Sequence, residues 1–185
     1  MRKMKLNLAV FVLMISLLLT SCSMGRLNMF DYIVHEYNKY NGGIITQLLS
    51  AINDGDKETV RDMFAANAIK EDPEFDDKLD QLFDFVEGTL VSYDDWAGPG
   101  ESGEFNSGYE QRSLQYTYDV ITSKQNYRFA IKEYTVDTSD KNNIGIYSLY
   151  VIKFEDDPYP EYAYWGDGNW TPGINFNCNY EETDE

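Results

Sequence analysis

Two oppositely charged side chains, Asp119 and Arg128, lie in neighbouring segments that alternate apolar and polar residues. If these segments are adjacent antiparallel strands, the carboxylate and the guanidinium face each other. A desolvated Asp can act as a general base, because the loss of water raises its pKa, and an Arg beside it can hold an anion. The simpler interpretation is an exposed cross-strand pair that contributes little.

Aromatic side chains are a second source of candidate binding residues. The sequence contains 15 Tyr, 10 Phe and 3 Trp, and Trp96, Trp165 and Trp170 lie near glycines, where a ligand can approach the backbone. Stacked aromatic rings bind sugar rings or cationic groups, although aromatic residues in sheet proteins usually serve packing. The candidate ligand-binding residues are Tyr93, Trp96, Asp119, Arg128 and Trp165.

Acidic clusters are the candidates for a metal site. Groups such as Glu155-Asp156-Asp157 could supply oxygen ligands for Ca²⁺, but none of the clusters has the spacing of an EF-hand loop. Helix caps, turns and solvated faces account for these residues, so we predict no metal site and no cofactor. His35 and Cys178, the one histidine and the one cysteine besides Cys22, are far apart, which gives little support for nucleophilic catalysis.

The N-terminus has the pattern of an export signal. A basic start precedes an apolar run from Leu6 to Leu19, about 14 residues long, whereas a membrane span needs roughly 20. The run ends in Leu19-Thr20-Ser21-Cys22, which closely resembles the lipobox of bacterial lipoproteins. This resemblance implies that residues 1–21 are removed as a signal peptide and that Cys22 carries acyl chains such as palmitate.

The charge of the chain limits its partners. Residues 1–21 contain three basic and no acidic residues, so their removal changes the formal net charge from −17 to −20. This acidity disfavours nucleic acid and anionic lipid head groups. The charge favours a soluble body, and the lipobox resemblance implies that this body is anchored in the cell membrane through the lipid on Cys22, on the extracytoplasmic face. Its partner would be a small molecule or an envelope protein, with no nucleic acid.

The apolar periodicity predicts an α+β fold with three N-terminal helices packed on a curved antiparallel sheet. The first helix has an apolar stripe from Ile44 to Ile52, Asp56 is expected to cap the second, and Asp72-Pro73 the third. From Leu90 the period changes to two. We predict strands at 90–96, 111–120, 127–132, 144–154, 162–165 and 170–176, a loop at 97–108, and a hairpin turn at Gly166-Asp167-Gly168-Asn169.

Several of these segments resemble known families. The helical pair around Leu48–Phe64 resembles the start of nuclear-transport-factor-2-like (cystatin-like) domains. The segments 82–88, 92–100, 145–150 and 164–168 resemble an uncharacterised family of Gram-positive bacterial lipoproteins of unknown function. The resemblance implies a cone-shaped fold and the lipoprotein address, and it does not point to any particular activity. Enzymes with this fold usually place an Asp or a His inside the cone, and this chain has no His in that region.

The predicted strand 144–154 is apolar on both faces, although a strand with one solvated face should alternate. The helices can cover only one face. The other could be covered by the C-terminal segment with Trp165 and Trp170, or by a second copy of the chain in a homodimer.

These observations define four segments and one leading function. The segments are a signal peptide (1–21), a tether (22–42), a single α+β domain (43–176) and an acidic tail (177–185). The leading hypothesis is a non-catalytic lipoprotein that binds a ligand or partner outside the membrane. The alternative is a small cone-pocket enzyme, an isomerase or hydrolase that uses Asp119 or another acidic residue.

The anchor can be tested directly. Cys22→Ala removes the sulfur that would be acylated, so we expect loss of lipidation and either release from the membrane or a block in processing. Metabolic labelling with a fatty acid analogue measures this. Equal labelling of wild type and variant would contradict the prediction.

Overall fold

The computed structural model describes residues 43–106 and 108–179. In these residues four α-helices pack with one five-stranded sheet, which confirms the predicted α+β class. The site lies within a compact unit that spans Thr46–Glu185. The predictions for residues 1–42, including the lipid on Cys22, and for most of the acidic tail lie outside the described residues.

Four short segments form the described helices. They are α1 (Ile44–Asp54), α2 (Lys57–Asp62), α3 (Ala66–Glu71) and α4 (Phe75–Phe85). Asp56 caps α2 as predicted, because its carboxylate accepts a hydrogen bond from the Thr59 amide at 3.0 Å. The sequence predicted three helices, and α3 was missed because six residues are fewer than two turns and show no apolar stripe.

The predicted cap at Asp72 lies one turn before α4, which begins at Phe75 with Glu74 at the N-cap position. Asp72 Oδ1 accepts from the Glu74 amide at 3.1 Å, so it caps the turn that leads into the helix. It also forms an ion pair with Lys78, with 2.9 Å between Oδ1 and Nζ. The Asp72 side chain also lies against Gly173, where φ is +88° and a Cβ would clash with it. Asp72 therefore connects α4 to the strand that begins at Gly173.

The strands lie in the sheet in the order in which they occur in the chain. They are β1 (Leu90–Asn106), β2 (Tyr109–Thr122), β3 (Asn126–Asp137), β4 (Gly145–Lys153) and β5 (Gly173–Phe176). The first four pair antiparallel, as predicted, but β5 pairs parallel with β4. A parallel pair needs a crossover connection, so residues 154–172, here called the crossover segment, replace the predicted strand 162–165 and the predicted hairpin.

The predicted turn in the crossover segment is displaced by one residue. The Gly168 amide donates to the Trp165 carbonyl at 3.1 Å, so Gly166 and Asp167 are the central residues. Gly166 has φ +61°, and a Cβ there would run into the Tyr150 ring. Only glycine fits this position without displacing Tyr150.

The predicted loop at 97–108 is largely strand. β1 continues through Gly100 and Gly103, which pair with Gln115 and Arg112 of β2. Backbone pairing needs only N–H and C=O groups, so the glycines do not prevent it, and the register shifts on either side of Ala97 absorb the irregularity. The sequence predicted a loop here because Gly and Pro usually mark turns.

The helices cover the first face of the sheet. The Phe85 ring of α4 packs on Tyr127 and Phe176, with ring centroids 5.9 and 5.0 Å apart. The Tyr127 hydroxyl also donates to the Phe85 carbonyl at 2.9 Å. These contacts join α4 to β3 and β5.

The second face of β4 is covered by the same chain. Tyr164 of the crossover segment packs with residues of β3 and β4 in one buried cluster, and Trp170 and Cys178 lie against it. The strand residues of this cluster are Ala130, Tyr150 and Ile152. The fold-back of the C-terminal segment thus explains why β4 is apolar on both faces. The homodimer stays a prediction that this face no longer requires.

Glu133 of β3 is one of several carboxyl groups that the described structure buries. Its side chain accepts a hydrogen bond from the Tyr116 hydroxyl at 3.0 Å, and the residue is only 6 % exposed. Burial raises the pKa of Glu133 to about 7, and the Tyr116 hydrogen bond lowers it only in part. Sequence reasoning did not identify this residue.

Glu133 should make the stability of the fold depend on pH. The pKa of Glu133 is raised in the folded state, so between about 4.5 and about 7 the folded chain holds a proton that the unfolded chain has lost. The free energy of unfolding should therefore fall as the pH rises through this window, by at most about 1.4 kcal/mol for each unit by which the folded pKa exceeds the unfolded one. Glu133→Gln cannot ionise, so we expect it to exceed the wild type in stability at about pH 8 and to equal it near pH 4.

Urea unfolding across this pH range measures the effect. Glu101→Gln, on an exposed part of β1, is the matched control and should follow the wild-type profile. A Glu133→Gln profile parallel to that of the wild type would show that Glu133 is not responsible.

Candidate ligand-binding site

The structure brings Asp119 and Arg128 together, as the sequence predicted. They occupy directly paired positions on β2 and β3, and Arg128 Nε donates to Asp119 Oδ1 at 3.0 Å. The Arg128 side chain is 1 % exposed and that of Asp119 27 %. The pair is therefore largely buried on the arginine side, not the exposed pair of the simpler interpretation.

The remaining donors of Arg128 bind the crossover segment. Nη1 donates to Asp157 Oδ2 at 2.6 Å and to the Tyr162 carbonyl at 2.7 Å, and Nη2 donates to the Pro160 carbonyl at 2.7 Å. With the bond to Asp119, four of the five guanidinium N–H groups are used within the chain. Arg128 therefore holds the crossover segment in place and has little capacity left to bind an anion.

Two aromatic rings enclose the guanidinium. Its carbon lies 4.9 Å from the Phe154 ring centroid and 5.5 Å from that of Trp96. Such cation–π contacts are worth about 2 kcal/mol when desolvated. Trp96 is thus placed as a cover over Arg128, although 40 % of the residue is exposed.

Asp119 keeps one feature of a general base. Burial raises its pKa, and the nearby carboxylates of Asp94 and Asp157 add to this effect, while Arg128 lowers the pKa. Asp94 faces Asp119 directly across β1 and β2. The raised pKa suits proton transfer, but Oδ1 is already engaged by Arg128.

The crossover segment encloses a cavity of about 380 Å³, here called the aromatic cavity. Trp165 lines it, as do Tyr159 and Tyr162, which are 42 % and 64 % exposed. The other lining residues are Asp157, Ala163, Tyr164, Gly166, Gly168 and Asn179. Of the predicted binding residues, Trp165 lines this cavity. Arg128 does not line it but donates a hydrogen bond to Asp157, which does.

Tyr93 lies elsewhere. Its hydroxyl is hydrogen-bonded to Thr46 of α1 at 2.7 Å, and its ring packs edge-on against Tyr118 at 6.1 Å. The structure therefore gives Tyr93 a packing role between β1, β2 and α1. It does not join the other candidates.

Side chains of β4 fix the far end of the aromatic cavity. The Tyr150 hydroxyl donates to Asp167 and accepts from the Thr171 amide, both at 2.7 Å. Ser148 Oγ donates to the Thr171 carbonyl at 2.6 Å. The crossover segment has little regular structure, but these bonds and those of Arg128 hold it at both ends.

Trp170 adds local strain next to the cavity. It has φ +56°, which is unfavourable for a bulky residue. In this conformation its indole packs edge-on against Tyr150 and Trp165, at 5.9 and 5.8 Å between ring centroids. Strain of this kind concentrates at functional sites, where the surrounding contacts maintain it.

Sequence reasoning missed Asp157, Tyr159 and Tyr162. The signal was the run Asp157-Pro158-Tyr159-Pro160-Glu161-Tyr162, in which prolines alternate with aromatic residues outside any periodic element. The prolines disfavour a regular strand, so the tyrosines of this run lie in a loop, where they line the cavity and do not pack in the core.

In the described part of the chain, no group of three or more His, Cys, Asp or Glu could hold a metal ion. None of the helices there has the length and apolar character of a membrane span. Cys178 is partly buried, and burial raises the pKa of its thiol, with Asp167 adding to the shift. A thiol with a raised pKa is a poor nucleophile at neutral pH.

The fold and site define an α+β domain with an open, mostly antiparallel sheet and a crossover segment that forms an aromatic cavity. The chain belongs to the family described as Domain of unknown function (DUF5104), whose model matches residues 47–154. A search of curated proteins found no match. The matched region includes Arg128 and ends where the crossover segment begins.

Arg128 should be required for the crossover segment to hold its position. Arg128→Met keeps a long apolar stem but leaves the buried Asp157 carboxylate without its cation, so we expect a loss of about 3–5 kcal/mol in the free energy of unfolding. The control is Lys124→Met, which removes an exposed cation 3.8 Å from Glu87 and should cost less than about 1 kcal/mol. Denaturant unfolding compares them, and similar small losses would show that Arg128 is dispensable.

Proposed function

We propose that this chain is a lipid-anchored, non-catalytic binding protein of the cell envelope. In this proposal the aromatic cavity holds a small, uncharged, ring-shaped ligand of the sugar class. The aromatic cavity is the observation that carries the proposal. The lipid anchor rests on the sequence around Cys22, and the choice of ligand rests on the chemistry of the cavity.

The residues that line the cavity are held in fixed positions, which supports binding. Binding costs less conformational entropy when the groups of the site are already in place before the ligand arrives. Arg128 fixes one end of the crossover segment and Tyr150 the other, while Gly166 lets the turn lie directly on the Tyr150 ring. The exposed rings of Tyr159 and Tyr162 are thus carried on a fixed backbone.

The charge of the cavity supports an uncharged ligand. Among the described residues that line it, Asp157 is the one carboxylate, and that charge is matched by Arg128. Both Asp157 oxygens are occupied, because Oδ1 accepts from the Tyr159 amide at 2.9 Å. Among the described lining residues a cation would therefore find aromatic faces but no free carboxylate. A sugar can stack its C–H face on the rings and direct its hydroxyls to Asn179 and the backbone.

A ligand screen tests the proposal. Neutral mono- and disaccharides, including N-acetylated amino sugars, are added to the protein, and the melting temperature and tryptophan fluorescence are recorded. A ligand at about 100 times its Kd stabilises by about 2.7 kcal/mol. We expect Tyr162→Ala to weaken binding by about tenfold, while its main-chain carbonyl still accepts from Arg128.

Phe105→Ala is the matched control, because Phe105 of β1 is 66 % exposed and Tyr162 is 64 % exposed. This control should bind as the wild type does. Binding that is unchanged in Tyr162→Ala, or a screen in which no sugar binds the wild type, would refute the sugar site. Binding of tetramethylammonium without any sugar would replace the ligand class with a cation.

An isomerase or hydrolase is the second candidate, favoured by the raised pKa of Asp119. In that case a carboxylate next to the crossover segment would transfer a proton to or from a bound substrate. Asp119→Asn should then abolish turnover of a ligand from the screen while leaving its binding intact. Absence of turnover in the wild type would leave the binding protein as the assignment.

A further inference from the structure

A larger cavity, of about 640 Å³, lies at the helical end of the sheet, between the ends of α1 and α4 and the start of β1. None of its lining residues belongs to the aromatic cavity. Its floor is apolar, with Leu49, Ile52 and Val120 no more than 9 % exposed. We call it the helix-end cavity.

The walls of the helix-end cavity are held by hydrogen bonds. Asn53 Oδ1 accepts from the Leu90 amide at 3.2 Å, and Thr122 Oγ1 donates to the Glu87 carbonyl at 2.6 Å. The Glu87 amide donates to the Tyr127 hydroxyl at 2.8 Å. These bonds join α1, β1, β2 and β3 around the opening, so the cavity is formed before any ligand enters.

The rim of this cavity is acidic. Asp54, Asp84 and Glu87 are exposed there, against a single basic lining residue, Lys57. Lys57 is already paired with Asp80, at 2.6 Å from Nζ to Oδ1. Among the described residues neither Asp54 nor Asp84 has an ion-pair partner, and Glu87 has only Lys124 at 3.8 Å.

Lys57 shows how a basic side chain fits this surface. Its ammonium lies 5.5 Å from the centroid of the Phe83 ring, which also lines the cavity, while its charge is met by Asp80. A long basic side chain can bury its stem on apolar surface and keep its charge at a carboxylate. The same arrangement is open to an incoming side chain at Asp84 and Glu87.

We propose that the helix-end cavity binds a basic segment of a partner protein, in which lysine or arginine flanks an apolar residue. The apolar residue occupies the floor, and the basic side chains meet the carboxylates of the rim. The volume lies within the range that holds a whole ligand rather than one side chain. An acidic segment is excluded by repulsion from the rim.

The test uses the full chain and two capped tripeptides, acetyl-Lys-Leu-Lys-amide and acetyl-Glu-Leu-Glu-amide, in titration calorimetry at low salt. We expect only the basic peptide to bind. The double variant Asp84→Asn, Glu87→Gln should weaken its binding by about fivefold or more. The matched control is Glu101→Gln, Glu104→Gln on β1, which changes the net charge equally at exposed positions outside the cavity and should bind as the wild type does.

A reversed-charge variant completes the test. Asp84→Lys, Glu87→Lys should lose the basic peptide and bind the acidic one, with a melting temperature close to that of the wild type. Equal weakening in the Asp84/Glu87 and Glu101/Glu104 variants would show general attraction to an acidic surface and overturn the proposal. Failure of the basic peptide to bind the wild type would overturn it as well. Neither result depends on the aromatic cavity.

Discussion

The buried guanidinium of Arg128 is the constraint on which the C-terminal part of the structure depends. A charged group withdrawn from water is strongly unfavourable unless charges and acceptors surround it. Of the groups that accept hydrogen bonds from Arg128, Asp119 alone lies on the neighbouring strand β2. The other acceptors are distant in the chain. Asp157, Pro160 and Tyr162 supply them. The path of the chain after β4 therefore depends on the hydrogen bonds that it makes with Arg128 of β3.

This constraint also accounts for the parallel strand. A chain that turned back directly after β4 would make an antiparallel hairpin. Here the chain first passes over the second face of the sheet, where it covers Tyr150 and satisfies Arg128, and only then enters β5 from the same end as β4. The close fit of Gly166 on Tyr150 and of Gly173 on Asp72 marks two places on this route that leave no room for a side chain.

The sequence predicted well where local pattern decides the structure, and poorly where distant contacts do. The alternation around Asp119 and Arg128 placed them opposite each other, and the apolar stripe of α1 placed that helix. The glycines of β1 predicted a loop because Gly and Pro usually mark turns, and the pattern does not show that their backbone groups pair with β2. The sequence predicted a strand and a hairpin in the crossover segment, because no local pattern indicates that this segment binds Arg128. The burial of Glu133 was not predicted, because it depends on how the folded chain packs around this residue.

The two cavities differ in how far the fold has neutralised the carboxylates that line them. In the aromatic cavity the carboxylate of Asp157 is neutralised by a cation that the fold itself has buried, so the recognition left to it is by ring faces and backbone. In the helix-end cavity Asp54 and Asp84 have no such partner among the described residues, so their charge remains available to an incoming group. The net charge of −17 therefore does not describe either site. What matters is whether the fold has already supplied a carboxylate with its counter-ion, and for Asp157 it has supplied Arg128.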